Sequence, residues 1–411
     1  MTDVPRTTDS TSCAIVGGGP AGIVLTLLLA RQGIPVTLLE SHKDFDRDFR
    51  GDTIHPSTLE MLDALGLADR LHQIPHAKIS KLQLETAAGS IVLGDFGRLK
   101  IKYPYIMVMP QSKFLDFLAA EIAKLPSARI IMGATVQQLV EENSRVVGIR
   151  YRGSDSALHE IRAPLTVAAD GRFSKIRQLV GFKPIGSAPP MDVLWFRLPR
   201  KKSDLHDGLA AFIGGGHLAV MLDRGDQWQI AYVFPKGEYG RIKAEGLDSF
   251  KRHVVERVPF LADRVDLLKD WHDCAVLNVE SSMLKKWYKP GLLLIGDAAH
   301  VMSPVGGVGI NYAIQDAVET ANVLAKPLKQ GRVSISDLAY VQRRRMLPTR
   351  IIQAVQGAIQ RNLIARALKG GQNFRVPLVM RILTGIPGLR NLPLRLLAFG
   401  VRRPRVRSAI V

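Results

Sequence analysis

Two cysteines in 411 residues, Cys13 and Cys274, are too few for a disulfide scaffold, and neither stands in a CxxC or other metal-ligand spacing. No uninterrupted apolar run approaches about 18 residues, so no membrane-spanning helix is expected. The first ten residues are polar and lack the hydrophobic stretch of a secretory signal, which points to a cytoplasmic protein. The only histidine pair at helical spacing, His72 and His76, has Pro75 between its members, so no metal site is expected. Acidic residues are missing from one region altogether. Tyr340 to Val411 hold fourteen Arg, one Lys and no Asp or Glu, and so carry +15 of the formal net charge of +19.

A nucleic-acid surface needs basic residues on a recognisable module with aromatic platforms or base-reading groups, and this tail has neither, which argues against nucleic acid as a partner. Its arginines alternate with Leu, Ile, Val and Pro, as in Arg375 to Leu383 and Leu392 to Phe399. Such a mixture suits peripheral contact with the anionic inner face of a membrane through residues 340–411. It suits equally well a helical cap whose arginines are merely solvated.

What the chain does have is a glycine turn, Cys13-Ala-Ile-Val-Gly17-Gly-Gly19-Pro20-Ala21-Gly22, between a short apolar strand and a helix. Gly17 permits the turn, Gly19 lets the backbone approach a pyrophosphate, and Gly22 lets the helix pack on the strand. The helix N-terminus, opening at Pro20 and Ala21, offers unpaired N–H groups to phosphate. A second strand ends in Glu40, placed to accept a ribose hydroxyl. The stretch alone predicts a dinucleotide site and leaves FAD and NAD undecided.

Two further elbows follow. A buried strand over 161–169 delivers Asp170-Gly-Arg-Phe-Ser174-Lys-Ile-Arg177, with Ser174 as helix cap. The strand 291–295 runs into Gly296-Asp297-Ala-Ala-His300, then Pro304-Val-Gly306-Gly307-Val308-Gly309-Ile310-Asn311 and a helix. That places a carboxylate and a row of N–H donors in one crevice. A chain binding NAD alone would not need this distant elbow, so FAD is preferred. Between the elbows, the loop Phe49 to Pro56 precedes a helix expected to be capped by Ser57, residues 78–109 alternate as antiparallel strands, and Met191 to Val279 is mainly β.

The three elements in this order resemble the single-component FAD aromatic hydroxylases, the para-hydroxybenzoate hydroxylase and ubiquinone-biosynthesis hydroxylase family, over roughly residues 10–350. The resemblance implies an α/β fold: a Rossmann-like FAD-binding domain in parts (10–77, 110–182, 286–339), with an inserted antiparallel β-sheet substrate domain (78–109, 183–285) and a helical C-terminal region (340–411). It implies that Gly17, Gly19, Pro20, Ala21 and Gly22 meet the pyrophosphate and Glu40 the ribose. Arg50 and Gln111 would touch FAD, Asp297 the ribitol, and Gly306, Gly307, Val308, Gly309, Ile310 and Asn311 the isoalloxazine. Asp170 is tied to both FAD and reduced nicotinamide. Many relatives carry Gln or Lys where this chain has Val308, which puts any side-chain tuning there in doubt.

In that family NADPH or NADH, docking transiently, reduces the flavin. O₂ adds at C4a, and the hydroperoxyflavin hydroxylates an aromatic ring in a water-free pocket, here near Pro304. The benzoate-clamping Ser and Arg of some relatives are replaced by an apolar strand, His217 to Leu222, which favours a larger lipophilic aromatic substrate. Trp195, His217, Met221 and Tyr232 are read as pocket residues, and His55, His217 and Tyr232 as the polar candidates for a base. Two alternatives stand beside this reading: an FAD-dependent reductase or dehydrogenase of an isoprenoid, and a non-enzymatic membrane- or nucleic-acid-binding protein on a vestigial core.

Overall fold

The strand Cys13–Val16, every residue of it buried, stands inside a six-stranded sheet in the order Tyr288–Lys289, Leu292–Leu294, Leu165–Ala168, Cys13–Val16, Val36–Glu40, Ala128–Met132. All pairings are parallel except the edge strand Tyr288–Lys289. Parallel strands buried on both faces need continuous apolar sequence, which explains runs such as Val-Thr-Leu-Leu at 36–39. The structure, a computed structural model, describes residues 5–46, 51–86, 89–204, 208–214, 216–368 and 391–407.

Eight helices matter here. They are α1 (Pro20–Ala30), α2 (Pro56–Ala64), α3 (Gln111–Ile122), α4 (Lys175–Leu179), α5 (Leu247–Arg257), α6 (Gly309–Lys329), α7 (Ile335–Ile359) and α8 (Leu392–Phe399). Helix α1 is buried over Ala21 to Ala30 because it packs on the sheet and against both α3 and α6, so it needs no polar face. Helix α2 begins two residues earlier than a Ser57 cap implies. His55 is its N-cap and Pro56 fills the first position, where a missing N–H costs nothing, so Ser57 lies inside the first turn and does not cap.

The apolar stretch 161–169 is two strands rather than one. Leu158–Arg162 joins a small sheet with Thr8–Ser10 and Arg145–Arg152, and Leu165–Ala168 joins the central sheet. Pro164 stands between them, and its missing N–H breaks the ladder.

A seven-stranded sheet runs Ala275–Leu277, Met191–Pro199, Gln227–Pro235, His217–Asp223, Leu209–Gly214, Lys81–Thr86, Gly89–Asp95. Lys81–Thr86 enters it parallel to Leu209–Gly214, so strands far apart in sequence share one surface. Its faces follow the two-residue alternation. Leu194, Phe196, Ala219, Met221 and Tyr232 pack under α5 through Phe250 and Val254. The other face presents Val193, Trp195, Leu218, Val220 and Val233 toward Val305 and the end of α7.

The tail is bound to the body. Arg345 of α7 is fully buried, and Leu394 and Ala398 of α8 enter an apolar cluster with Phe96 and Val108. The segment after α8 is tied to α6: Tyr312 Oη accepts from Val401 N–H at 3.2 Å, and Asn322 Nδ2 donates to the Arg405 carbonyl at 2.8 Å. The region is thus a docked helical segment in which Arg345 is buried and Arg344 and Arg403 are half-buried, while its other described arginines, such as Arg350, Arg361 and Arg395, stay exposed. The Arg375 to Leu383 stretch lies outside the described residues.

Candidate FAD and substrate site

The three elbows meet. Gly17 has φ +103°, and a Cβ there would lie 2.4 Å from the Ala169 carbonyl oxygen, so the first elbow rests directly on the second. A Cβ on Gly22 would lie 1.9 Å from the Gly17 carbonyl oxygen, which is the close helix-to-turn approach the motif requires. Around Gly19 a Cβ would meet nothing within 4 Å, and α1 has no side-chain cap. Its first N–H groups, with Pro20 and Ala21 opening the helix, therefore face an open cradle suited to a pyrophosphate. Glu40 is buried beside it, accepting Gly18 N–H at 2.8 Å through one oxygen and holding the His42 ring at 2.6 Å through the other.

Asp170 closes the second elbow. Its carboxylate accepts from Ser174 Oγ at 2.6 Å and Ile176 N–H at 3.0 Å, while Ser174 Oγ caps α4 by accepting from Arg177 N–H at 2.9 Å. Burial pushes the Asp170 carboxyl up, against those hydrogen bonds. Arg177 then reaches the third elbow, donating to the carbonyls of Asp297 at 3.3 Å and Ala298 at 3.1 Å. Asp297 stands half-buried in the single turn Gly296–Ala298.

Beneath that turn lies a buried ionic cluster that motif reading missed. Asp316 of α6 accepts from Gly296 N–H at 3.0 Å and Arg345 Nε at 2.7 Å, and its carboxylate meets His300 Nε2 at 2.5 Å. Burial alone would raise the Asp316 carboxyl, but His300 and Arg345 outweigh it and hold it below the usual carboxylate range. Three glutamines on one face of the α7 region are a second omission. Gln353 donates to the Ser282 and Val301 carbonyls, Gln356 to those of Ser303 and Val305, and Gln360 to Ser303 Oγ. Their spacing of three and four residues on a basic helix is a signal that was available in the sequence.

The glycine loop after Pro304 meets the chain around residue 51. Gly306 and Gly307 take φ +77° and +62°, and Thr53 Oγ1 donates to the Gly307 carbonyl at 3.2 Å. A Cβ on Gly51 would lie 2.2 Å from Ile310 Cδ1 and 3.1 Å from Gln111 Nε2, so Gln111, Ile310 and this loop converge. Arg50 lies outside the described residues. Asn311 accepts from His55 N–H at 3.0 Å and Thr58 Oγ1 at 2.8 Å, leaving its buried Nδ2 without a protein partner. Gly309 opens α6, whose N-terminus also lacks a side-chain cap. Two uncapped helix ends, an open glycine cradle and an orphaned amide are what a bound dinucleotide would satisfy, so the residues fit FAD.

The Val308 side chain, as distinct from its backbone, does not face such a ligand. It is 2 % exposed and packs with Met302, Tyr312 and Ile352. His55 is fully buried, with Nδ1 donating to the Leu397 carbonyl at 2.8 Å and Nε2 unpartnered. Burial lowers its pKa to about 4, so the ring is neutral near pH 7.

The pocket residues separate. Trp195 lies on the inner face of the large sheet, packed against both the apolar cluster that Val305 joins and the one that Leu397 joins. Met221 and Tyr232 are on the opposite face, under α5. His217 stacks on His253 of α5 and meets Tyr232 Oη through Nδ1 at 2.7 Å. The structure therefore does not bring His217, Met221 or Tyr232 to Pro304. The inward positions on these strands are their alternates, Leu218, Val220, Ala231 and Val233. Among the described residues no group of three or more His, Cys, Asp or Glu is arranged to hold a metal, and no helix is long and apolar enough to cross a membrane.

The family described as "FAD binding domain" matches residues 10–355. The chain is 33% identical over 401 residues to 6-methylpretetramide 4-monooxygenase of Streptomyces rimosus, covering 97% of this chain and 94% of that protein. It is 26% identical over 360 residues to protoasukamycin 4-monooxygenase of Streptomyces nodosus subsp. asukaensis, covering 81% and 84%. Among solved structures, p-nitrophenol 4-monooxygenase PnpA from Pseudomonas putida DLL-E4 superposes with TM-score 0.75 at 19% identity, over 98% of this chain and all of that one. Pseudomonas aeruginosa PqsL in complex with 2-aminobenzoylacetate gives 0.74 at 19%, over 88% and 98%.

Proposed function

Because the chain belongs to the family of FAD-dependent aromatic hydroxylases, we propose that it is a monooxygenase adding one oxygen to a large, apolar, multi-ring phenol at the expense of NADPH or NADH. The observation that carries the substrate class is the inner face of the seven-stranded sheet. Val193, Trp195, Leu218, Val220 and Val233 pack with Val305 in one apolar cluster on that face. The relative 33% identical to this chain is named for a 6-methylpretetramide, which agrees with such a wall. Bound FAD would supply the redox chemistry that links reduced nicotinamide to O₂.

The chain's own residues divide the remaining work. Gly17 to Gly22 and the α1 N-terminus hold the pyrophosphate, Glu40 the ribose, and Asp297 and Gln111 the middle of the cofactor. Arg50 joins them. The Gly306 to Asn311 backbone orients the ring system, and the apolar wall excludes water beside Pro304. His55, neutral and with Nε2 free of a protein hydrogen bond, is a buried polar ring beside the glycine loop. Residues 10–77, 110–182 and 286–339 form the FAD-binding part, and 78–109 with 183–285 the substrate part.

Purified protein should be yellow and should couple NAD(P)H oxidation to O₂ uptake, accelerated by polycyclic phenols more than by benzoates. Product mass separates this from a reductase acting on an isoprenoid: a gain of one oxygen against a gain of two hydrogens. Protein that retains no flavin would remove the proposal.

A second reading rests on α7. Tyr340, Leu347 and Ile351 are exposed on one helical face with Arg343 and Arg350, a surface suited to peripheral contact with an anionic membrane. Co-sedimentation with anionic vesicles, lost in Leu347→Glu/Ile351→Glu, is its test.

A further inference from the structure

A cleft of about 640 Å³ opens between α8, the segment after it and the loop at residues 100–102. Six cations line it: Lys100, Lys102, Arg395, Arg402, Arg403 and Arg405, against the single carboxylate of Glu60. Lys102 is engaged by Asp63 at 2.7 Å and Arg403 by Glu60. The other four have no carboxylate partner among the described residues, although holding like charges together costs stability. Its apolar lining comes from Ile101, Leu392, Leu396 and Phe399, with the Arg403 guanidinium 4.2 Å from the Phe399 ring centre.

That combination fits a phosphorylated small molecule with a flat ring. The volume lies in the small-molecule range. The position is informative as well. The other face of α8 carries Leu397, whose carbonyl accepts from His55 and whose methyl lies 3.1 Å from where a Cβ on Gly306 would sit. Cleft and glycine loop are thus separated by one helix diameter, about 10 Å. The chain has a single GxGxxG turn, so the phosphates of a second dinucleotide must be met by side-chain cations.

We infer that this cleft docks the phosphate-bearing adenosine end of NADPH and selects it over NADH through the 2′-phosphate. The inference rests on the proposed monooxygenase reading. Guanidinium forks match a phosphate dianion, and each such contact is worth about a tenfold change in affinity.

The test uses the purified full-length protein and 2′,5′-ADP in calorimetry, beside Arg395→Ala/Arg402→Ala/Arg405→Ala. Native protein should bind 2′,5′-ADP more tightly than inorganic phosphate, and the variant at least tenfold more weakly than native. The variant's KM for NADPH should rise by a similar factor, with KM for NADH, kcat and the flavin spectrum unchanged. Native binding no tighter than inorganic phosphate, or a variant that binds as native does, overturns the inference. So does a variant that loses only co-sedimentation with phosphatidylglycerol vesicles, which would assign the cations to a lipid headgroup. Colourless native protein strikes the monooxygenase reading alone, because the calorimetry needs no flavin.

Discussion

The guanidinium of Arg177 donates to the main-chain carbonyl of Ala298, 121 residues further on, at 3.1 Å. The same group reaches the Asp297 carbonyl and, at 2.5 Å, that of Arg172. One side chain from the Asp-Gly elbow thus fixes the backbone that presents Asp297. Hydrogen bonds from a charged donor are each worth about 1.5–3 kcal/mol. Arg177→Ala should weaken FAD retention by about tenfold or more, while Arg177→Lys, which keeps charge but loses the fork, falls between. Fluorescence titration of deflavinated protein reads this, and equal affinity in all three proteins would refute the clamp.

Gly19 and Gly22, three residues apart, behave oppositely in space. Gly22 has no room, since its Cβ would stand 1.9 Å from the Gly17 carbonyl oxygen. Gly19 has φ −68°, which any residue adopts, and open space around it. Gly22→Ala should therefore lower the melting temperature and yield, whereas Gly19→Ala should melt as native and come out colourless. Thermal unfolding beside the flavin absorbance distinguishes the two. A Gly19→Ala protein with full flavin content would show that the cradle is not where phosphate sits.

The elbows were legible because their chemistry is local. A strand, a turn and a cap such as Ser174 with Arg177 N–H lie within a few residues, so spacing alone exposes them. What was not legible depends on partners distant in the chain. His217, Met221 and Tyr232 alternate correctly for a strand, but which face is covered is decided by α5, which supplies Phe250 and Val254. Likewise nothing near Leu397 announces that its carbonyl will meet His55, 342 residues earlier. The Pro164 break was visible in the sequence, since a proline inside an apparent nine-residue strand marks a boundary.

The Asp316 cluster should be the most sensitive charged position in the fold. Asp316 and Arg345 are 0 % and 1 % exposed as side chains, and removing one partner of such a pair strands the other without water. Asp316→Ala should cost about 3–5 kcal/mol. Arg345→Met in addition should recover part of that loss, because the uncompensated guanidinium is then gone. Urea unfolding of the single and double variants measures both, and strictly additive losses would show that the two residues are not coupled.

Val308 offers a test of side-chain direction. Since it packs with Met302, Tyr312 and Ile352, a polar replacement buries an amide among apolar groups. Val308→Gln should cost about 1–3 kcal/mol. It should also leave the absorption maximum and reduction potential of the bound flavin unmoved. A shifted potential at native stability would place the side chain at the isoalloxazine after all.

His55 sets a pH dependence whose sign follows from its burial. Its folded-state pKa is lowered from 6.5 to about 4, so the native state excludes a proton that the unfolded chain accepts below 6.5. Stability from this site is fully present above pH 6.5 and is lost as pH falls toward 4. At about 1.4 kcal/mol per pH unit, the loss over that window is on the order of 3 kcal/mol. Most carboxylates titrate at the acid end of the window, so the clean reading is the difference between native and His55→Gln protein from pH 6.5 to 4.5. The glutamine amide can still donate to the Leu397 carbonyl, which preserves the contact that Nδ1 makes at 2.8 Å. The variant's stability should fall less steeply with acid, and its curve should approach or cross the native one before pH 4.5. Parallel curves across the window would mean that His55 is hydrated or charged in the folded protein, and its assignment as a buried, neutral ring would fall with it.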